Sequence, residues 1–428
     1  MIPLMTLWHY LRARRLRFTQ RTQLEAYQAR QLKRFARRVL VKSPYFQPFH
    51  SLPIAEWPQM DKAVMMTHFD RMNTAGLRLE ELLACAQRSE TDRDFTPKVG
   101  KYSVGLSTGT SGRRGVFVVS PQEQQIWAGG MLAKMLPQGA FAGEKVALFL
   151  RADNNLYHSV NNRWLSLAFY DLFAPFAGHL QQIERDQPSI VVAPAQVLCA
   201  LASEIERGNL QLRVKKVISV AEVLEPQDRQ LLMRVFNQVG EVYQATEGFL
   251  AATCSHGTLH LNEEFIHVEP QWIDQQRFTP LITDFTRCTQ PIVRYRLDDI
   301  LVRRAQPCPC GQATMALERI EGRSDDQLLL PGLNGVAQRV FADSCRRVIA
   351  NALPAVAEYR LTQQGSQRLQ LLANCRLEAL VNCQQQLLAL FEQQGIATQQ
   401  LEWQLQVQAI LPQFDAKRRR IVRVPEVA

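Results

Sequence analysis

Three short apolar runs, at residues 146–150 (VALFL), 190–193 (IVVA) and 217–220 (VISV), each precede a stretch of helical periodicity, and this alternation constrains the fold more than any other feature. Runs this short and continuously apolar suit strands covered on both faces, whereas a half-exposed strand would alternate with polar residues. The helical stretches extend to about Tyr170, Arg207 and Gln238, which leaves room for crossovers between parallel neighbours. The expected class is α/β, a sheet packed between helices. From His260 to Arg304, Thr, Val and Ile gather between turn signals, as in an added β subdomain. The polar stretch Glu321-Gly322-Arg323-Ser324-Asp325-Asp326 marks a boundary. Beyond it the pattern restarts as helix (341–350), strand (359–362), strand (369–373), helix (377–394) and strand (403–410), a small C-terminal α+β domain. The reading divides the chain into a basic N-terminal helical arm at 1–43, a large domain at 44–324 and a small one at 325–428.

With 428 residues the chain is long enough for two or three domains. Its composition, 46% hydrophobic and 21% charged, excludes a collagen-like, coiled-coil or wholly disordered protein. The net charge of +10 is concentrated: residues 1–43 hold eleven Lys and Arg against the one acid Glu25, so the remainder is formally neutral. Such an arm suits anionic lipid, nucleic acid or an acidic protein, or else is the solvated face of helices lying on the body. A nucleic-acid enzyme would spread basic residues through the fold and interleave them with aromatics, so no nucleic-acid partner is expected. The apolar stretch Ile2 to Trp8 precedes its arginines, the reverse of a secretory signal, and no run approaches the ~18 apolar residues of a membrane span. A cytoplasmic protein without a transmembrane segment is expected, with peripheral contact through the arm left open. Nine irregularly spaced cysteines fit reduced thiols or metal ligands better than a disulfide framework.

The densest chemical signal is Leu106-Ser107-Thr108-Gly109-Thr110-Ser111-Gly112-Arg113-Arg114-Gly115. Glycines let backbone N–H groups close around phosphate oxygens, Ser and Thr add donors, and Arg neutralises charge. The Gly-Lys-Ser/Thr ending of a Walker loop is missing. Gly105-Leu106-Ser107-Thr108-Gly109 also matches a nucleophile elbow, which would make Ser107 the nucleophile of a serine hydrolase. An elbow runs directly into a helix, whereas Val116 to Val119 has a β pattern. A bare hairpin turn would explain the glycines but not the hydroxyls and arginines.

Four further segments follow in order: Val242-Tyr243-Gln244-Ala245-Thr246-Glu247-Gly248, Pro291-Ile292-Val293-Arg294-Tyr295-Arg296-Leu297-Asp298-Asp299, Ile320-Glu321-Gly322-Arg323-Ser324-Asp325-Asp326, and Pro412-Gln413-Phe414-Asp415-Ala416-Lys417. With the loop, they resemble the signatures of the adenylate-forming superfamily of acyl-adenylate and acyl-CoA synthetases. The wording is closest to phenylacetate-CoA ligases and the deazaflavin-coenzyme synthetase branch, with Ser219-Val220-Ala221-Glu222 where those have Ser-Gly-Ala-Glu. The resemblance implies a large ATP- and acyl-binding domain, a small mobile C-terminal domain, and ATP- and Mg²⁺-dependent activation of a carboxylate with loss of pyrophosphate. It implies that Ser107, Thr108, Gly109, Thr110, Ser111 and Gly112 hold the β- and γ-phosphates, Thr246 the α-phosphate and Glu247 the Mg²⁺. It further implies adenine between Tyr243 and Ala221-Glu222, ribose on Asp299, Arg323 near ribose and phosphate, Lys417 on the transition state, and Asp325 as hinge. Singly, each has a plainer reading: Glu247 and Asp299 as surface carboxylates, Tyr243 as a core aromatic, Lys417 as one charge of a basic run.

Two departures matter. Leu297 and Asp298 stand where the family has Thr and Gly, which leaves Asp298 as a rival to Asp299. The lysine that usually follows the hinge is replaced within Leu328-Leu329-Leu330, which borders the pantetheine tunnel of CoA ligases. The acceptor is thus open among CoA, a carrier-protein thiol, an amine and a hydroxyl. Transfer of AMP itself to a hydroxyl, and a non-catalytic partner-binding module, are further alternatives. Cys308-Pro309-Cys310 puts two thiolates on one tight loop, and Cys254 with His256 or His260 would complete a closed Cys₃His zinc site; reduced, non-ligating cysteines are the alternative. The similar arrangement in phenylacetate-CoA ligases points to His260. By the same analogy the acyl pocket lies near Arg151 to Phe173, where Tyr157, Trp164, Phe169, Tyr170 and Phe173 favour an aromatic acid or simply form core.

Overall fold

The computed structural model describes residues 3–92, 96–106, 115–136, 138–150, 163–323, 327–354, 357–414 and 417–424. The chain forms two compact units: Met1–Leu224, Leu231–Leu297 and Val302–Arg319 make the larger, and Glu225–Gln230, Asp298–Leu301 and Ile320–Ala428 the smaller.

The larger unit begins with two helices, α1 (Leu4–Arg15) and α2 (Arg21–Arg38), which lie on its body. On α2, Tyr27 Oη donates to the Glu264 carbonyl (3.1 Å), and Gln28 Nε2 donates to the carbonyls of Glu263 and Ile266 (2.9 and 3.1 Å). The inner face of α1 packs on a later helix, Pro121–Met135, and Tyr10 Oη accepts from the Ala140 N–H at 3.0 Å. The approach is close because Gly129 lacks a side chain: a Cβ there would lie 2.6 Å from His9 Cβ and 2.7 Å from the Tyr10 nitrogen.

Strands β1 (Lys98–Val99), β2 (Tyr102–Leu106) and β3 (Val116–Val119) form an antiparallel sheet in which Leu106 pairs with Val116. The hydroxyl-rich stretch Ser107–Gly112 lies outside the described residues, but it joins two strands that are paired up to their ends. A strand therefore follows it, which is the wrong context for a nucleophile elbow. The central sheet runs parallel through β4 (Glu144–Leu150), β5 (Leu165–Asp171), β6 (Ile190–Ala193), β7 (Lys216–Ser219) and β8 (Val239–Ala245), in the spatial order β8-β7-β6-β4-β5. Its middle strands are buried along nearly their whole length, as the unbroken apolar runs require. Helices Phe176–Asp186 and Ala195–Glu206 fill crossovers.

One expectation is overturned. The stretch up to Tyr170 is not helical throughout: Leu165–Asp171 is strand β5, an outer neighbour of β4. Its Tyr170 ring stacks on Phe149 of β4 at 4.5 Å, so aromatics that mimic a helical period are held by cross-strand pairing.

Beyond β8 the sheet turns antiparallel through β9 (Gly248–Thr253), β10 (Leu259–Leu261) and, further on, β11 (Ile266–Trp272), β12 (Arg277–Asp284) and β13 (Ile292–Arg296). Two more strands, β14 (Asp299–Arg303) and β15 (Ala316–Arg323), run from the larger unit's residues into the smaller's or back, and Leu317 of β15 pairs with Leu259 of β10.

The smaller unit holds a hairpin, β16 (Leu328–Pro331) and β17 (Ala337–Val340), and a four-stranded sheet of β18 (Tyr359–Gln364), β19 (Arg368–Ala373), β20 (Glu402–Val407) and β21 (Ile421–Val424) in the order β20-β19-β18-β21. Helices Ala342–Ala352 and Leu377–Gln393 complete an α+β unit. In the second helix Leu380, Cys383, Leu387 and Phe391 recur at helical spacing and face the core. Together the units make an α/β protein with an added β subdomain and a C-terminal α+β unit.

Replacing Gly129 by Ala should force α1 away from its seat and cost about 1–3 kcal/mol. Denaturant unfolding would read this as a lowered midpoint, whereas an unchanged midpoint would show that α1 does not dock here.

Candidate functional site

In open parallel sheets, ligands sit beyond the carboxyl ends of the strands. Ala221 and Glu222 follow β7, and Thr246 and Glu247 form the two-residue tip joining β8 to β9, where Ala245 pairs with Gly248. Thr246 Oγ1 donates to Glu247 Oε2 at 2.8 Å, and both residues are half-buried. A small cleft, open at its mouth, runs between this tip and the start of β3, with Gly115, Val116, Thr246, Glu247, Gln290 and Tyr295 in its lining. Gly115, the residue before β3, and the Thr246-Glu247 pair therefore share one cleft.

Residues that sequence reasoning missed hold this cleft together. Arg287 donates from Nη1 to the Thr246 carbonyl (3.2 Å) and from Nη2 to the Val118 carbonyl (3.1 Å). Gln290 reaches the same strand, donating to the Val116 carbonyl at 3.2 Å and accepting from the Val118 N–H at 2.9 Å. Behind Arg287 stands Glu123, which closes a capping box with Ser120 at the start of Pro121–Met135 and accepts from the N–H groups of Cys288 and Thr289 (2.6 and 2.9 Å). The Ser-Pro-Gln-Glu pattern announces that helix start in the sequence, but not Glu123's reach to residues 288–289. Asp284 is buried under the hairpin; a Cβ on Gly248 would lie 3.0 Å from its Oδ2. Burial pushes this carboxyl up to about 6, against hydrogen bonds from Thr286 and the charge of Arg287.

Ala221 has φ +65°, and the Glu222 N–H bonds back to the Val220 carbonyl at 2.8 Å, a tight turn that only glycine adopts without strain. Glu222 is fixed by Gln196, whose backbone N–H and side-chain amide donate to its two carboxylate oxygens at 3.2 and 3.0 Å. Tyr243 lies buried within β8. In the Arg-Tyr segment, Arg294 is a buried anchor: its guanidinium pairs with Glu269 (2.9 Å) and donates to the carbonyls of Ala55 and Trp57 (2.7 and 2.8 Å).

In the smaller unit Asp298 is exposed and Asp299, at the start of β14, half-buried. Arg323 ends β15, with its side chain outside the described residues, as is Asp325. Lys417 is exposed and stands four residues before β21. The basic run after it is only partly a solvated charge cluster. Arg418 and Arg420 both reach Asp228 and Glu358, and Arg420 also pairs with Glu225 at 2.5 Å, where Arg346 joins at 3.3 Å. Two alternate residues that share the same carboxylates point the same way, so side-chain ion pairs anchor the backbone that carries Lys417.

Cys254, His260, Cys308 and Cys310 bring their ligand atoms within 4.8 Å of one another. Cys254 Sγ lies 3.7 Å from Cys308 Sγ, and Cys310 Sγ 3.4 Å from His260 Nε2. Thiolates about 2.3 Å from a tetrahedral metal stand ~3.8 Å apart, and a thiolate and imidazole ~3.5 Å, so these two separations fit such an ion. His260 Nδ1 lies 3.1 Å from the Thr314 carbonyl, which leaves Nε2 to face the thiols. Burial opposes ionisation of Cys308, but hydrogen bonds from Thr258, the Cys310 backbone and His260 bring its thiol down to about 6. His256 is exposed and outside the cluster. Of the aromatics named for an acyl pocket, Tyr157 is outside the described residues, Tyr170 is core, and Trp164 and Phe173 are exposed.

Because Asp284 has a folded pKa above its unfolded value near 3.8, its contribution to stability is greatest below that value and falls as pH rises through about 6. Asp284→Asn keeps an acceptor for Thr286 but cannot ionise. It should match the wild type at pH 4 and exceed it by roughly 2–3 kcal/mol at pH 8. Unfolding curves at the two pH values would show the gap, and a pH-independent difference would refute this account.

No family model matches the sequence, and none of the curated proteins matches it. Solved structures do match the fold. 2-Hydroxyisobutyryl-CoA ligase in the postadenylation state with 2-HIB-AMP aligns over 94% of this chain and 89% of its own, at TM-score 0.68 and 14% identity. The amide bond synthetase McbA of Marinactinospora thermotolerans aligns over 73% and 67% at TM-score 0.53 and 13% identity. The anthranilate-CoA ligase AuaEII, solved with anthranoyl-AMP, aligns over 73% and 65% at TM-score 0.50 and 12% identity. The chain thus shares its fold with these solved ligases and this synthetase.

Proposed function

We propose that this protein activates a small carboxylic acid with ATP, forming an acyl-adenylate and releasing pyrophosphate, and then passes the acyl group to an acceptor. One observation carries the reading: Gly115, the residue before β3, and the Thr246-Glu247 pair line the same cleft, tied by Arg287. In-line attack of a carboxylate on the α-phosphorus needs the triphosphate, a divalent cation and the acid held together. Ser107 to Gly112 would hold the β- and γ-phosphates and Thr246 the α-phosphate. Glu247 would hold Mg²⁺, which when bound neutralises phosphate charge. Ala221, Glu222 and Tyr243 would frame adenine, Asp299 the ribose hydroxyls, and Arg323 the ribose and phosphate. Lys417 would stabilise the charge that develops in the transition state. Residues 325–428 would form the domain that turns about Asp325 between the two half-reactions, after adenylation in the ATP- and acyl-binding domain at 44–324.

The acceptor would be CoA, a carrier-protein thiol, an amine or a hydroxyl. The thiol cluster we assign to zinc in a structural role, since all four ligand positions are filled by protein.

The test is pyrophosphate release across aryl, fatty and amino acids, with and without CoA, with product masses recorded. The expected product is an acyl-adenylate consumed on adding the acceptor; an acceptor heavier by AMP would replace acyl transfer with nucleotidyl transfer, and no pyrophosphate with any acid would sink the reading. Lys417→Ala should lower kcat for adenylation by roughly 10²-fold while the KM for ATP stays nearly unchanged. For the metal, purified protein should carry zinc, and Cys308→Ser should lose it and melt at lower temperature. Zinc-free wild-type protein would count against the assignment.

A further inference from the structure

Helix α1 presents its apolar residues to solvent. Its buried positions are Thr6, His9, Tyr10 and Ala13, whereas Leu4 (82% exposed), Met5, Trp8 (51% exposed) and Leu11 face outward. At ~100° per residue, Leu4, Trp8, Leu11 and Arg15 fall within an arc of about 60°, opposite the centre of the buried face. Arg12 flanks this stripe on one side, with its guanidinium 5.4 Å from the centre of the Trp8 ring, and Arg15 is exposed within it, whereas Arg14 on the other side is engaged with Tyr10, to whose hydroxyl its Nη1 donates at 3.2 Å. The helix cannot roll to hide the stripe, because its inner face is fixed by the contact at Gly129 and by Tyr10.

The surface that covers this face must accept leucine and tryptophan beside Arg12 and Arg15. A second copy of the chain would bring like charges together, in the segment that carries the whole net charge of +10. A nucleic acid would meet the arginines but leave Leu4 and Leu11 in contact with phosphate and water. An anionic bilayer surface satisfies both demands: the apolar stripe enters the acyl boundary, Trp8 sits at headgroup level, and Arg12 and Arg15 meet lipid phosphates. We propose that the outward face of α1 is an anionic lipid-binding surface that holds the protein at a membrane without crossing it. Among the described residues no helix is long and apolar enough to span a bilayer.

The experiment is flotation of the full chain with phosphatidylcholine vesicles, with or without phosphatidylglycerol. Each cation near an anionic surface contributes about fivefold in affinity. The wild type should therefore prefer the anionic vesicles by more than tenfold, and salt should weaken binding. Leu4→Ser/Trp8→Ser/Leu11→Ser, at exposed positions that leave melting temperature unchanged, should lose binding at least tenfold, and Arg12→Gln/Arg15→Gln should lose it to a similar degree. No flotation with either vesicle would overturn the proposal, as would flotation that survives the serine substitutions. A concentration-dependent dimer abolished by those substitutions would assign the face to self-association instead. Equally tight binding of an oligonucleotide, lost with the arginines alone, would assign it to nucleic acid. None of these readouts depends on the adenylation reading.

Discussion

The geometry of the cleft depends on one buried carboxylate. Glu123 accepts from the Ser120 N–H and hydroxyl, from the Cys288 and Thr289 N–H groups and from the Thr289 hydroxyl, and the Arg287 guanidinium lies 3.9 Å away. Burial alone would raise its pKa; the charge of Arg287 and the bonds from Ser120 and Thr289 outweigh this and hold it below the usual glutamate range. With Glu123 fixed, Arg287 is fixed, and its two remaining bonds set the distance between β3 and the tip of the β8-β9 hairpin. Deleting either charge would strand the other in a low-dielectric interior, which costs more than the pair contributes when intact. The cleft is thus built from a capping box outward.

Which parts of this were legible in the sequence follows from the range of the forces involved. The parallel strands β4, β6 and β7 are readable because burial on both faces leaves an unbroken apolar run. Strand β5 is not, because the aromatics in and beside it, at 164, 169, 170 and 173, imitate a helical period and only pairing with β4 decides against it. The helices of the smaller unit are readable from single faces such as Leu380, Cys383, Leu387 and Phe391. Candidate residues Thr246, Glu247, Ala221 and Glu222 could be named from motif order. The sequence held no sign that Thr246-Glu247 is a hairpin tip, since it lacks the Asn or Gly that usually marks a two-residue turn. Glu123, Arg287 and Gln290 were invisible for another reason: each is an ordinary polar residue until the fold brings distant segments together.

Strain at Ala221 belongs to the same economy of fixed geometry. A left-handed alanine costs roughly 1–2 kcal/mol, and it persists where neighbours over-determine the backbone. Here Val220 N–H is held by the Ala193 carbonyl, and Glu222 by both amide groups of Gln196, so β6 and β7 end in one interlocked turn. Valine, not glycine, precedes this position at Val220, and its side chain leaves the turn fewer ways to relax. A turn held on both sides keeps the Glu222 carboxylate in one orientation.

The smaller unit solves a related problem with charge. Arg346, Arg418 and Arg420 face Glu225, Asp228 and Glu358, three cations against three carboxylates, and Arg420 is only 4% exposed. Such a cluster is weak evidence for stability, since desolvation consumes much of the Coulomb attraction. Its value lies in direction. Arg418 and Arg420 are alternate residues, the Arg420 carbonyl accepts from Leu361 N–H at 2.8 Å, and β21 follows at once, so side-chain pairs and ladder bonds fix the same short segment. Because the formal charges in the cluster balance, it anchors the backbone beside Lys417 without adding net charge there. Arg418 and Arg420 therefore fix the backbone at Lys417, while the lysine side chain itself stays exposed.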